Sequence, residues 1–245
     1  MPHLLRDMSS PEFARLAPQL AFVPVGATEQ HGPNLGMGID YRVAEEIAQR
    51  AGAQCDRATV VLPPIPYGLS DHHLDFPGTV SISFDGFRRI CVDVALSLKR
   101  HGVTRVVFVN GHFGNMSALS VISTELKSQH GIRAATAFWM SQAKDQVDRH
   151  KKTHRWGHAC EVECSVALAV TPELVKHDAL QAGDLIEEYS PLTDNYQPHS
   201  LALPLSFAER TRNGAFGDAT QLSEAAGNAI ADAAVARLVE FAESF

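Results

Sequence analysis

The chain has 245 residues, 45% of them hydrophobic, and a formal net charge of −7. A core of that size needs no staples, and an acidic balance without a basic face excludes a general nucleic-acid or membrane-surface binder. Cys55, Cys91, Cys160 and Cys164 are too few and scattered for a disulfide framework, no apolar run is long enough to span a bilayer, and no signal core follows a basic start; reduced thiols in the cytoplasm are expected.

Residues 20–25 (LAFVPV) form a short apolar run ending at Gly26, the pattern of a buried strand. Residues 40–51 carry helical spacing at Val43, Ile47 and Ala51. Residues 59–65 (TVVLPPI) read as a second strand, weakened by Pro63 and Pro64. A Gly- and Pro-flanked loop leads to a helix over 87–100. The clearest strand is 105–109 (RVVFV), β-branched and bounded by Gly102 and Gly111. A helix over 115–129, a strand over 132–138, an apolar helix over 161–170 and a long Ala-rich helix over 223–241 complete the pattern. Two stretches, 140–156 and 189–218, lack periodicity and read as lids, interface arms or solvated loops. No repeat or linker divides the chain, so 1–245 is expected to be one domain. Alternating strands and helices predict a mostly parallel sheet covered on both faces, a three-layer α/β/α sandwich. Sites in such sheets lie beyond the carboxyl ends of the strands.

Chemistry-bearing residues fall at those ends. Glu29 and His31 are two apart just past the first strand, so in extended chain both side chains project to one side. A carboxylate with an imidazole suits Zn, Mn or Fe. Asp40 arrives soon after, where it can serve as a ligand or as a helix N-cap. His112 follows Asn110-Gly111 at the end of the best strand, and Asn115 is placed to cap the next helix. His158 and Glu161 lie at a helix start, with Glu163 beyond; locally, both acids also read as ordinary first-turn carboxylates. Cys160 and Cys164 share one helix face and read as packed thiols rather than ligands. His72 and His73 are adjacent, so in extended chain at most one faces a given site.

These runs resemble the creatininase (creatinine amidohydrolase) family. Val23 to Leu35 (VPVGATEQHGPNL) with Gly38-Ile39-Asp40 is similar to its first block, P-V-G-S-T-E-Q-H-G-P-H-L then G-T-D. Tyr67 to Ser70, His73 and Phe76 to Thr79 look like the second. Asn110 to Asn115 looks like N-G-H-x-G-N, and His158 to Glu163 looks like H-A-G-E-x-E. The resemblance implies an α/β/α fold with two divalent ions per subunit, of uncertain identity among Zn, Mn and Fe, in a homo-oligomer, hexamer favoured. It maps ligands onto Glu29, His31, Asp40, His112 and Glu161, with Asp40 as the bridge. It places His73 against substrate, His158 as the proton-transfer residue and Glu163 behind it as an orienting group. Gly114 stands where creatininase proper carries Glu, which argues against creatinine itself. Cys160 and Cys164 replace the usual Gly and Thr.

The expected activity is metal-dependent hydrolysis of a C–N bond in a small cyclic amide or formamide, a non-peptide bond, through a metal-activated hydroxide. The alternatives are ring opening of an oxidised cyclitol or sugar, peptide processing, and a metal-holding scaffold without turnover. The expected partner is a small-molecule substrate, not nucleic acid or membrane.

Overall fold

A computed structural model describes residues 1–186 and 203–245; residues 189–202 of the aperiodic stretch 189–218 lie outside the described part. Five strands form one sheet: β1 (His3–Leu4), β2 (Leu20–Val25), β3 (Thr59–Val61), β4 (Arg105–Asn110) and β5 (Arg133–Phe138), in the order β1-β3-β2-β4-β5. Every described pairing is parallel. The expected α/β sandwich is what forms.

The strands form here because their alternate residues feed two separate cores. Leu20 and Phe22 of β2 and Val107 and Val109 of β4 face one side, packing on α2 (Ile39–Gly52), α7 (Glu161–Val170) and α8 (Glu224–Ser244). Ala21, Val23 and Val25, with Val106 and Phe108, face the other, packing on α3 (Phe84–Arg100) and α4 (Met116–His130). Each fully buried large side chain, such as Phe22, Phe87 or Leu119, stabilises the fold by about 1.5–3 kcal/mol.

Element limits follow local chemistry. β3 stops at Val61 rather than reaching residue 65, since Pro63 and Pro64 have no N–H for a ladder; one bridge, Val25 to Ile65, resumes the pairing. α3 starts at Phe84, three residues earlier than its periodicity suggests, because the Ser83 side chain accepts from Gly86 N at 3.2 Å. α1 (Ser10–Leu16), unread in the sequence, has a capping box between Ser9 and Glu12. The stretch 140–156 is partly helical: α5 (Trp139–Gln142) and α6 (Lys144–His150) lay Ala143 and Val147 into the core beside α8. Among the described residues, no helix is long and apolar enough to cross a membrane.

Candidate metal centre and active-site cavity

The sheet delivers its functional residues to one end. Glu29 and His31 follow β2, and His112 follows β4. Asp40 is the second residue of α2, whose N-cap is Gly38 with no side-chain cap bond. The Asp40 carboxylate is therefore free of capping and turns to the strand ends. Gly111 makes this possible: a Cβ there would lie 1.9 Å from Asp40 O, so only glycine lets the first turn of α2 rest on β4. The Asn115 side chain does not cap α4; its Nδ2 donates to Gly26 O at 3.0 Å and its Oδ1 accepts from Leu69 N at 3.0 Å. It thereby ties the 69–70 loop to the end of β2.

Glu29, His31, Asp40 and His112 are each at most 5% exposed, so their charges must be met inside the protein. His112 Nδ1 lies 3.2 Å from Glu29 Oε1 and 3.3 Å from Asp40 Oδ2, and His31 Nε2 lies 3.3 Å from Asp40 Oδ1. Glu29, Asp40 and His112 converge as one trio of donor atoms, and His31, Asp40 and Glu163 as a second, each within 4.8 Å. Asp40 belongs to both. Glu29, His31 and His158 make a third trio. His31 Nε2 and Asp40 Oδ2 are buried yet make no hydrogen bond among the described residues, and three carboxylates face two imidazoles. That is a donor set and a charge balance that divalent cations fit.

Neighbouring groups aim the donors. His112 Nε2 donates to Leu69 O at 3.0 Å and His31 Nδ1 donates to Glu29 O at 3.2 Å, so that when each ring gives up its second proton the nitrogen left bare is the one facing the carboxylates. The Ser70 hydroxyl donates to Glu29 Oε2, and His73 Nε2 stands 3.4 Å from Glu29 Oε1. Burial works against charge on His31, but Asp40, Glu163 and Glu29 outweigh it and raise its pKa to about 9. His112 is also raised, burial being overcome by Glu29 and Asp40. Burial opposes ionisation of Asp40 as well, yet His31 and His112 hold it below the usual carboxylate range. Burial, reinforced by Asp40 and Glu29, lifts Glu163 to about 7.

The structure exchanges the places expected for Glu161 and Glu163. Glu161 turns away from the donor cluster. Its Oε1 accepts from Lys152 N and Thr153 N, both at 2.8 Å, and from Thr153 Oγ1 at 2.7 Å; its Oε2 accepts from Asp218 N at 3.0 Å. Despite its burial, those bonds hold its pKa below the usual range. Glu163 faces His31 and Asp40 instead, with Ala159 N–H donating to its Oε2. Ala159 adopts a left-handed backbone, φ +50°, a strained conformation for a residue with a Cβ. That twist sets which face of α7 meets the cluster.

His158 lines the cavity, and its Nε2 donates to Gln30 O at 2.8 Å. Burial and neighbouring His31 push its pKa well down, so the ring is neutral. His73, expected against substrate, has both nitrogens engaged, Nδ1 by Gln30 and Nε2 toward Glu29, so its position supports Glu29. His72 escapes the sequence reading, yet it lines the same cavity and stacks on His112 at 5.6 Å. Residues 71–73 form a 3-10 turn, not extended chain, so neighbouring side chains diverge by about 120° and both rings reach one cleft. Burial, then His112 and Arg210, lower His72 to about 4. Cys160 and Cys164 are buried in the core, their thiols pushed well up by burial and then by nearby charges, and join no donor trio.

The cavity above the cluster encloses about 510 Å³. Its far wall is apolar, built by Phe113, Phe138, Leu203, Leu205 and Phe207, with Arg210 behind; the Arg210 guanidinium lies 5.6 Å from the Phe207 ring centre.

Comparison with known proteins agrees with this layout. The family profile described as Creatininase, creatinine amidohydrolase, matches residues 6–242. A mycofactocin precursor peptide peptidase from Mycolicibacterium smegmatis is 37% identical over 169 residues, covering 67% of this chain and 63% of that protein, just under two thirds of the relative's length. A 3-dehydro-scyllo-inosose hydrolase from Thermotoga maritima is 29% identical over 176 residues, covering 65% of this chain and 52% of that one. A solved manganese form of creatininase superposes with a TM-score of 0.81 at 21% identity, over 100% of this chain and 98% of the other; a Zn–Zn form of a point-mutant creatininase gives the same values.

Proposed function

This chain belongs to the creatininase family, and from that premise we propose that it is a hydrolase of C–N amide bonds that works with two divalent ions. Glu29, Asp40 and His112 would hold one ion, and His31, Asp40 and Glu163 the other. The observation that carries the proposal is Asp40, one buried carboxylate common to both trios, with its Oδ2 and the facing His31 Nε2 lacking hydrogen bonds. Bound there, the ions supply Lewis acidity, so that water ionises near pH 7 rather than near about 16 and a carbonyl is polarised. Zinc and manganese lead the choice of metal because solved creatininases contain them, and iron suits the same donors.

The chain's own residues do the rest. Ser70 and His73 orient Glu29, and Leu69 O and Glu29 O fix the two ligand imidazoles. Neutral His158 keeps its lone pair on Nδ1. It takes a proton from the attacking water and returns it to the leaving nitrogen, giving a carboxylic acid and an amine. The apolar wall seats the acyl side of the substrate and excludes bulk water.

The sequence pointed to a non-peptide amide. Similarity to a peptide peptidase, and a cavity of about 510 Å³ that is roomy for a small ring, lead us to put a peptide or peptide-like amide ahead of a cyclic amide or formamide. Ring opening of an oxidised cyclitol is the second reading, favoured by the Thermotoga relative. The four free thiols suit a cytoplasmic setting, and homo-oligomeric assembly, as a hexamer, belongs to the same proposal; light scattering on the purified chain measures it.

The test is elemental analysis with turnover, before and after chelation, on a panel of short peptides, formamides, cyclic amides and a keto-cyclitol. Two equivalents of metal per chain, loss of turnover on stripping and recovery with Mn or Zn are expected. Full turnover in verified metal-free protein would sink the reading.

A further inference from the structure

Gln30 stands between the ligand-type Glu29 and His31 but carries no chemistry of its own, and its six polar contacts are all buried or half-buried. Its backbone N–H donates to Thr79 Oγ1 at 3.0 Å, and its Oε1 accepts from Gly32 N at 2.7 Å. Its Nε2 lies 3.1 Å from Gly214 O, 2.8 Å from His73 Nδ1 and 3.2 Å from His158 Nε2, while its carbonyl oxygen lies 2.8 Å from His158 Nε2. The two backbone partners settle which end of the amide is which. Gly32 N–H can only donate, so it faces the oxygen; Gly214 O can only accept, so it faces the NH2. Gly214 has φ +81°, and a Cβ there would stand 2.1 Å from Gln30 Oε1. The turn at 214 is closed around this side chain.

The protonation sites of two histidines follow from that. One Gln30 N–H is used by Gly214 O and the other points at His73 Nδ1, which must then be the bare nitrogen. The His73 proton lies on Nε2, 3.4 Å from Glu29 Oε1. The Gln30 carbonyl at 2.8 Å takes the proton of His158 Nε2, so the bare nitrogen of His158 is Nδ1.

We propose that Gln30 is a positioning residue that locks both His73 and His158 in the Nε2–H form, with its side chain on one ring and its main chain on the other, so that His73 turns its N–H toward Glu29 while His158 keeps an accepting Nδ1. This rests on the proposed hydrolase reading for its catalytic meaning, but its structural content is independent of the substrate. Gln30→Glu is close to isosteric and cannot donate. A carboxylate facing His73 Nδ1 draws the proton to that nitrogen and changes the proton that His73 Nε2 presents toward Glu29.

The test uses zinc-loaded full-length protein labelled with [15N]histidine and sedimented for solid-state NMR, so that oligomer size is no obstacle. His73→Asn and His158→Asn assign the two rings. The expected wild-type spectrum shows both as Nε2–H. In Gln30→Glu, His73 moves to Nδ1–H or to the doubly protonated form while His158, held by the main chain, does not change. Turnover falls about 10- to 100-fold through kcat, with KM within about twofold because the substrate wall is untouched. Gln30→Met, which removes the donor without adding charge, should free His73 to populate both forms, and serves if the Glu variant fails to fold. A wild-type ring found as Nδ1–H, or a His73 signal indifferent to both substitutions, overturns the proposal. Loss of metal or absence of amide turnover in wild type strikes the hydrolase reading instead and leaves the spectra to be read on their own.

Discussion

Glu161 and Glu163 stand two residues apart in the first turn of α7, yet they serve opposite regions. Glu161 gathers three backbone N–H groups and a hydroxyl from residues 152, 153 and 218, pinning two loops to the helix. Glu163 accepts one backbone N–H and looks into a cluster of unsatisfied donors. The lesson is that a buried carboxylate is assigned by what already satisfies it. One whose lone pairs are filled by amides has little left for a cation; one with capacity to spare beside bare imidazole nitrogen is a ligand in waiting.

That contrast can be attacked directly. The largest effect is expected for Asp40→Ala, which removes the shared donor: both ions are lost in elemental analysis and turnover falls below detection. His112→Ala should do the same for its own trio. Retention of wild-type metal content by either variant breaks the assignment. Glu163→Gln comes next, with one equivalent of metal lost and kcat/KM reduced about 100-fold or more, a transition-state loss of roughly 3 kcal/mol or more. Ser70→Ala, which frees one oxygen of Glu29, should weaken metal affinity or activity about tenfold, measured by competition with a chromophoric chelator.

Glu161→Gln is the counterpart that sharpens the comparison. It should keep both ions and lower stability by about 1.5–3 kcal/mol, the worth of hydrogen bonds to a charged group, read in urea unfolding. Metal loss on Glu161→Gln with full retention on Glu163→Gln would reverse our assignment. The remaining effect is in pH. His31 sits at about 9 in the folded chain against 6.5, and Glu163 at about 7 against 4.5. Both bind protons more tightly when folded, so their contributions are complete at low pH; that of Glu163 fades between 4.5 and about 7, that of His31 between 6.5 and about 9. Asp40, held low, loses its contribution only as pH falls below about 4. Below pH 6.5 the low-titrating His72, His73 and His158 oppose this trend, so the Tm of stripped protein should decline from about pH 7 to about pH 9, while the rise produced by adding zinc grows over the same span, because ligands must shed protons to bind. A zinc-induced rise that shrinks toward high pH contradicts this.

Much of the fold was legible, because strands buried on both faces read as apolar runs: 20–25 and 105–109 needed no tertiary information. α5 and α6 were not legible, since a stretch whose later part is charged acquires its order from a few buried residues, Trp139, Met140, Ala143 and Val147, packed into the core that α8 shares. In the site, Glu29, His31, Asp40 and His112 are found by strand-end position and family resemblance. The choice between Glu161 and Glu163 is not, because residues two apart on a helix face roughly opposite ways and the deciding twist at Ala159 leaves no trace in residue type. His72 escapes because extended-chain geometry does not apply to the turn that carries it. Gln30 carries no titratable group, and its importance lies in contacts with residues up to 184 positions away.

The donors come from strand ends and the starts of α2 and α7, whereas three of the five apolar wall residues, Leu203, Leu205 and Phe207, come from a stretch that supplies no donor. Under the proposed reading, changes at Leu203, Leu205 and Phe207 would alter what the cavity grips while leaving the donors in place. Such a division would let a lineage trade one substrate for another by drift in a single loop, and the relatives are named for substrates as unlike as a peptide and an inosose.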